Sequence, residues 1–321
     1  MVSVVIATYN GEKYIENQLE SIFLQTRPVD EVIICDDGSS DATAEIVEKF
    51  IASRSLCNWH FSKNTENLGY SLNFFGCIEK ASGDIIYLCD QDDVWYLTKN
   101  EYMTDIMEKD QSILMLSSGY DLIDKDGNII KDKSVRNVVG ENGGNQIPIS
   151  VKEQIGCSII RGCASCFRAE IKKYLPKERF DNLLVGHDWL ISIISSALGK
   201  NIIVEKVLGQ YRCHGENTSL SAVKDNKKLL QKRIAGLEES IFAHKYLLDL
   251  NFPKFNEKRK QILSQIAFEQ KRKEYLENGG LFKFFGLLFL VKYYSKYYRS
   301  VFGGFRILVG DFLYRKRGKS K

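Results

Sequence analysis

The sequence predicts an α/β protein built on a mostly parallel sheet flanked by helices, followed by a helical C-terminal extension. Three observations predict it. Four apolar, partly β-branched runs stand in the first third of the chain, at residues 2–7, 31–35, 57–61 and 84–89. Stretches with helical spacing separate them: Ile15, Leu19, Ile22 and Phe23, then Ile46, Val47, Phe50 and Ile51, then Leu72, Phe75 and Ile78. Polar segments follow each strand directly, and open parallel sheets bind ligands beyond the carboxyl ends of their strands.

Each element has its own reason. Strands joined by crossover helices pair in parallel through right-handed connections, and near-continuous apolar strands suit a sheet covered on both faces. Residues 113–130 read as a strand running into a hairpin over Asp126-Gly127. Residues 131–150 are polar and Gly-rich and read as an extended loop. Residues 156–170 read as a strand entering a helix, residues 187–199 as a helix stopped by Gly199, and residues 201–214 as strand, turn, strand. The expected division is a catalytic domain over 1–220 and a helical extension over 221–321.

Composition narrows the function classes. The chain has 321 residues and a net charge of +4. Residues 271–321 hold thirteen Lys and Arg against three acids, about +10, which leaves about −6 upstream. The two ends therefore face different partners. The start of the chain, "MVSVVIATYN", reads as a strand and not as an export leader, so the eight cysteines are expected to be reduced. Cys163 and Cys166 form a CxxC, but no second pair follows at zinc-ligand spacing.

The C-terminal tail interleaves aromatic and basic residues, and its apolar runs fall short of the roughly 20 residues that cross a bilayer. That pattern suits a helix lying in the headgroup region. The alternatives are a protein partner, pairing with a second copy, or ordinary core; nucleic acid is not expected. The expected location is the inner face of the plasma membrane, peripherally bound.

The post-strand segments are "TYNGE" (8–12), "DDGSSDAT" (36–43), "NTENLGY" (64–70) and "DQDDVW" (90–95). In the last, Asp90, Asp92 and Asp93 crowd the end of a buried strand. Like charges so close raise each other's cost of ionisation unless a cation joins them. A hard divalent cation, Mg²⁺ or Mn²⁺, meets that need with one or two carboxylates and leaves the rest of its shell to substrate phosphates.

Taken together, "VSVVIATYNGEKYIENQLESIFLQT", "EVIICDDGSSDAT", "NLGYSLNF", "LCDQDDVW", "HDW" and "YRCHGEN" resemble the family 2 glycosyltransferases, over about residues 1–220. The last three resemble most the bacterial rhamnosyltransferase-type subgroup. The resemblance implies the GT-A fold, a nucleotide-sugar donor with dTDP-rhamnose first and UDP-hexoses next, and inversion at the anomeric carbon. It implies a lipid-linked or glycan acceptor in cell-surface glycan synthesis.

It also implies roles. Thr8, Tyr9, Asn10 and Glu12 would line the nucleotide pocket, and Asp36 would accept from the base imide. Asn67 and Gly69 would lie alongside the nucleotide, and Asp90 would reach the ribose or a metal-bound water. Asp92 and His214 would ligate the metal, and Asp188 would be the catalytic base; as a plain helix cap it would instead only stabilise its helix. Asp93, Trp95, Arg161, His187, Trp189 and Arg212 are candidates for substrate contact, each with an alternative as packing or as partner of a structural acid. "YRCH" lacks the Gln-x-x-Arg-Trp signature of processive members, which favours one sugar per event. Two rivals are a sugar-phosphate nucleotidyltransferase, for which "TYNGEKY" has too few glycines, and a phosphate-accepting signalling domain, which would leave "HDW" unexplained.

Overall fold

A computed structural model describes residues 1–130, 144–176, 186–214, 226–298 and 306–313. Strands β1 (Val2–Thr8), β2 (Glu31–Asp36), β3 (Trp59–Lys63) and β4 (Ile85–Asp90) alternate with helices α1 (Ile15–Phe23), α2 (Thr43–Ser53) and α3 (Tyr70–Lys80). The βαβαβαβ expectation therefore holds, with the third strand two residues later than the apolar run suggests. These strands pair in parallel in the order β3-β2-β1-β4. Val4, Val5, Ile6, Val32 and Ile34 are buried, as strands covered on both faces require. On α1 the periodic Ile15, Leu19 and Ile22 are buried while Phe23 is exposed. Each such residue withdrawn from water contributes about 1.5–3 kcal/mol, which is what holds a nine-residue helix with no side-chain cap.

The remaining strands make the sheet mixed. A two-residue strand β5 (Val94–Trp95) and helix α4 (Lys99–Lys109) lead to β6 (Ile113–Ile123). The hairpin after it is small, an isolated bridge between Ile123 and Ile129 around Asp124–Gly127. Residues 131–143 of the expected loop lie outside the described residues. Its end is not loop: β7 (Gln146–Pro148) pairs antiparallel with β9 (Lys200–Arg212). Helix α5 (Val151–Gln154) follows.

The segment expected as strand then helix is strand β8 (Ser165–Arg168) between two 3₁₀ turns, Gly162–Ala164 and Ala169–Tyr174. β8 inserts antiparallel between β4 and β6. Helix α6 (His187–Leu198) starts and stops where expected. β9 is one long strand instead of two, because irregularities in its register with β6 let it turn from β7 to β5 without a break. At Gly209 an added Cβ would lie 3.1 Å from the Val94 carbonyl oxygen, so glycine there lets β5 approach.

The chain divides into two compact units, Met1–Ser150 with Ile159–Asn217, and Val151–Ser158 with Thr218–Lys321. The second contains α7 (Asn226–Asp249), α8 (Pro253–Glu257), α9 (Arg259–Asn278), α10 (Leu281–Leu288) and α11 (Val291–Tyr298), with residues 306–313 also helical. Its core joins Leu237, Phe268, Tyr275, Leu276, Leu287, Tyr294 and Leu308. Asp311, fully buried, accepts from Arg233, Arg272 and Tyr294. No described helix is long and apolar enough to cross a membrane.

Candidate active site

The polar segments that follow β1, β2, β3 and β4 meet at the carboxyl edge of the sheet. Register fixes the relation: Thr8 lies opposite Asp36, and Ala7 opposite Asp90. Asp36 and Asp90 thus lie two strands apart, about 10 Å at ordinary strand spacing.

The β1 and β2 loops are laced together. Asn10 adopts a positive φ of 48°, tolerable for asparagine; its N–H donates to Ser39 Oγ at 2.8 Å and its Oδ1 accepts from the Ser40 N–H at 2.9 Å. Glu12 Oε2 accepts from the Ala42 N–H at 3.0 Å. Asp36 is fully buried and both of its oxygens accept from the Ser39 N–H, at 3.0 and 3.1 Å. Contact with a base would require this side chain to turn outward. Asp37, which sequence reasoning passed over, does the bridging: it accepts from Asn64 Nδ2 at 3.0 Å and from the N–H groups of Leu68 and Gly69, both at 2.8 Å. Asn67 donates to the Asp37 carbonyl at 3.1 Å, and Gly69 enters α3 at φ 83°, a backbone that suits glycine. Thr8 is buried with its Oγ1 unpartnered among the described residues, whereas Tyr9 is exposed and its backbone pairs with the Gln91 amide at 2.8 and 3.0 Å. Gln91, inside "DQDD", therefore positions the β1 loop.

The acidic cluster at the end of β4 has three different environments. Burial, then the charges of Asp93, Asp92 and Asp188, push the Asp90 carboxyl well above the usual carboxylate range. Asp93 Oδ1 accepts from the Arg212 N–H at 3.0 Å, while its buried Oδ2 meets no hydrogen-bond geometry among the described residues; burial, then Asp92, push the carboxyl up to about 7, against the Cys163 thiol beside it. Asp92 Oδ2 lies 2.7 Å from His214 Nε2. Tyr14, also unanticipated, backs this corner, its ring 5.1 Å from that of His214 and 4.7 Å beneath the Arg212 guanidinium. Arg212 is otherwise spent on carbonyls, those of Asp92 at 2.8 Å and Asp124 at 3.2 Å.

Asp90, Asp93 and Cys163 offer ligand atoms all within 4.8 Å of one another. The donor set fits a hard cation. An orphaned carboxylate oxygen and two carboxyls pushed toward protonation are what an oxygen-ligated divalent ion would relieve. Asp90 and Asp93 would hold it, while Asp92 and His214, 2.7 Å apart, are the ligands that the resemblance implies. Burial drives the Cys163 thiol well above its ordinary value, so it stays protonated and does not suit that ion as a ligand.

Asp188 begins α6. From the first turn of α6, its Oδ1 accepts from the Trp189 N–H at 2.7 Å and its Oδ2 from the Gly162 N–H at 3.2 Å, so it both satisfies a free amide of its helix and ties α6 to the 3₁₀ turn before β8. An added Cβ at Gly162 would come within 3.2 Å of Asp188 Cβ and 3.3 Å of His187 Nε2. Arg161 precedes that glycine and donates from Nε to Tyr120 Oη at 3.0 Å, with its guanidinium 4.4 Å from the Tyr211 ring centre. Its charge also favours ionised Asp90.

Four expected substrate contacts turn inward. Asp93 is buried as described. Trp95 packs against Tyr87 at 5.4 Å and under Lys99 Nζ at 4.3 Å, because the β5 pairing with β9 points it into the core. Lys99 is itself buried, donating to the Cys163 carbonyl at 2.7 Å, and burial lowers its pKa. His187 stacks on Phe74 at 3.9 Å with both ring nitrogens unpartnered among the described residues, and burial holds its pKa down to about 4. Trp189 is buried on the core side of α6.

A family model described as Glycosyl transferase family 2 matches residues 3–175, more than half of the chain. The chain belongs to glycosyl transferase family 2. An uncharacterised glycosyltransferase of Nostoc sp. is 25% identical over 247 residues, 74% of this chain and 72% of that one. The chondroitin synthase of Escherichia coli is 28% identical over 258 residues, 78% of this chain and 35% of that one. An Escherichia coli UDP-Glc:α-D-GlcNAc-diphosphoundecaprenol β-1,3-glucosyltransferase is 35% identical over 126 residues, 39% of this chain and 48% of that one. The chain thus spans about half or less of these last two relatives. Residues 1–349 of TarS from S. aureus share the fold at TM-score 0.61 and 17% identity, over 99% of this chain and 90% of that one. A mannosyltransferase from Pyrobaculum calidifontis, solved with GDP-Man and Mn²⁺, superposes at TM-score 0.55 and 16% identity, over 99% of this chain and 88% of that one. The transferase therefore has the GT-A fold, a mixed central sheet flanked by helices with a helical C-terminal region.

Proposed function

We propose that the transferase is an inverting, divalent-cation-dependent enzyme that moves one sugar from a nucleoside diphosphate sugar to a lipid-linked or glycan acceptor in cell-surface glycan synthesis. The observation that carries this reading is the meeting of β4 and α6 at Gly162: its N–H donates to Asp188, and an added Cβ there would lie 3.2 Å from Asp188 Cβ and 3.5 Å from Leu88, two residues before Asp90 on β4. A donor held at the end of β4 would present its anomeric carbon toward Asp188.

Asp188 takes the proton of the acceptor hydroxyl as its oxygen forms the new bond to the anomeric carbon. The bond to the diphosphate breaks with its electron pair leaving on the phosphate oxygen. The two backbone amides on Asp188 hold its carboxylate in place for this. A Mg²⁺ or Mn²⁺ ion held by Asp90 and Asp93, or by Asp92 and His214 as the resemblance implies, would supply neutralisation of the charge that develops on the leaving diphosphate. The Asn10–Ser39 and Asp37–Gly69 bonds keep the surrounding loops from collapsing into the space for the nucleotide.

dTDP-rhamnose is the donor that the subgroup resemblance favours. A UDP-hexose is the second reading, supported by the E. coli relative named for UDP-Glc and by the TarS complex with UDP-GlcNAc. Release of nucleoside diphosphate from a panel of dTDP-, UDP- and GDP-sugars, with Mn²⁺ and with EDTA, tests both. Turnover of none of them, or turnover unaffected by EDTA, would remove the proposal.

A further inference from the structure

Helix α10 offers solvent a face of phenylalanine. Phe282 is 94% exposed, Phe285 53% and Phe289, which caps the helix, 86%. At about 100° per residue these three fall within roughly 60° of arc, with the 67% exposed Leu281 beside them. The opposite side seats the helix: Leu287 is buried, and the Phe284 ring packs against Tyr275 and Phe312 with centroids 5.7 and 5.0 Å apart. Gly286 lies toward the open side, where an added Cβ meets nothing within 4 Å. A contiguous apolar stripe of this kind on a soluble surface marks an interaction site.

Charge selects the partner. Residues 281–321 hold ten Lys and Arg and a single carboxylate, Asp311. Asp311 is buried and bonded to Arg233, Arg272 and Tyr294, so it sets no negative charge against an incoming anion. Lys292 and Arg306 are exposed. Phenyl rings in a segment where cations outnumber acidic side chains ten to one, Lys283 being paired with Glu274, and no described helix long and apolar enough to span a bilayer, match the boundary between acyl chains and anionic headgroups.

We propose that α10 docks the chain on an anionic lipid surface, inserting Phe282, Phe285 and Phe289 while the flanking Lys and Arg side chains remain among the phosphates. This does not rest on the catalytic reading. The test is sedimentation of the full chain with phosphatidylcholine vesicles, with and without phosphatidylglycerol, at low and high salt. Wild type pellets with the anionic vesicles, and its partition falls roughly tenfold or more on neutral vesicles or at high salt. The variant F282S/F289S loses roughly tenfold or more on the anionic vesicles. Both side chains are largely in water, so the circular dichroism spectrum is unchanged; if that variant does not fold, K292E/R306E is used in its place with the same expected loss. The proposal is overturned if wild type stays in the supernatant, or if a folded variant pellets like wild type. It is equally overturned if F282S/F289S converts a wild-type dimer to monomer in the ultracentrifuge without reducing vesicle binding, which would make the face a contact between copies.

Discussion

Replacing His187 by Phe separates packing from substrate contact. The imidazole is buried, lies nearly flat on Phe74 at an interplanar angle of 20°, and leaves both nitrogens unpartnered among the described residues. Burial lowers its pKa from 6.5 to about 4, with the neighbouring Asp188 charge opposing the shift. The unfolded chain therefore binds a proton near pH 6.5 that the folded chain refuses until about pH 4. The stability from the neutral, buried ring is present above pH 6.5 and is lost as pH falls through that window. The separation between those two values corresponds to about 3 kcal/mol. His187→Phe removes that loss and the desolvation of two orphaned nitrogens, about 1–3 kcal/mol each, at the cost of a slightly larger ring, about 1 kcal/mol. Urea unfolding followed by tryptophan fluorescence should find the variant at least as stable as wild type at pH 7.5, and more stable than wild type by an additional ~3 kcal/mol at pH 4. Donor turnover at pH 7.5 should stay within about threefold, since a ring turned inward touches no substrate. A stability gap between the two proteins that is the same at every pH would refute the reasoning, and a hundredfold loss of turnover at unchanged stability would return His187 to the substrate site.

Asp188→Asn should lower kcat by about 10²–10⁴ while KM for the donor moves little, measured as nucleoside diphosphate release, because the amide keeps an acceptor for one backbone N–H but cannot take the proton. His214→Ala should weaken Mn²⁺ activation by about 10–100-fold in a metal titration, with full activity regained at saturating metal, since it removes the imidazole 2.7 Å from Asp92. Gly162→Ala should retain the circular dichroism spectrum yet cut kcat about tenfold or more, because the added methyl would crowd Asp188 Cβ at 3.2 Å; unchanged kinetics would show that Asp188 has room to move.

The sequence by itself determined the parallel half of the sheet and the positions where chemistry could gather. Apolar runs spaced by helical periods place Thr8, Asp36, Asn67 and Asp90 at strand ends, since local periodicity decides strand and helix and the handedness of crossovers does the rest. It also determined that three acids crowd the end of β4, because adjacency along the chain is itself proximity; that His214 and Arg161 come to them was decided by the fold. The tertiary structure alone decided which side chains face the site. Trp95 and Asp93 turn inward because β5 pairs with β9 more than a hundred residues away, and a two-residue strand carries no readable alternation. Asp188 comes to the edge of β4 because it holds the Gly162 N–H of the turn before β8, and β8 inserts between β4 and β6, a pairing set by the packing of distant strands and by no local signal. Likewise, spacing marks Phe282, Phe285 and Phe289 as one face of a helix, but only the packing of Phe284 and Leu287 on the other side shows that this face is the one left to water.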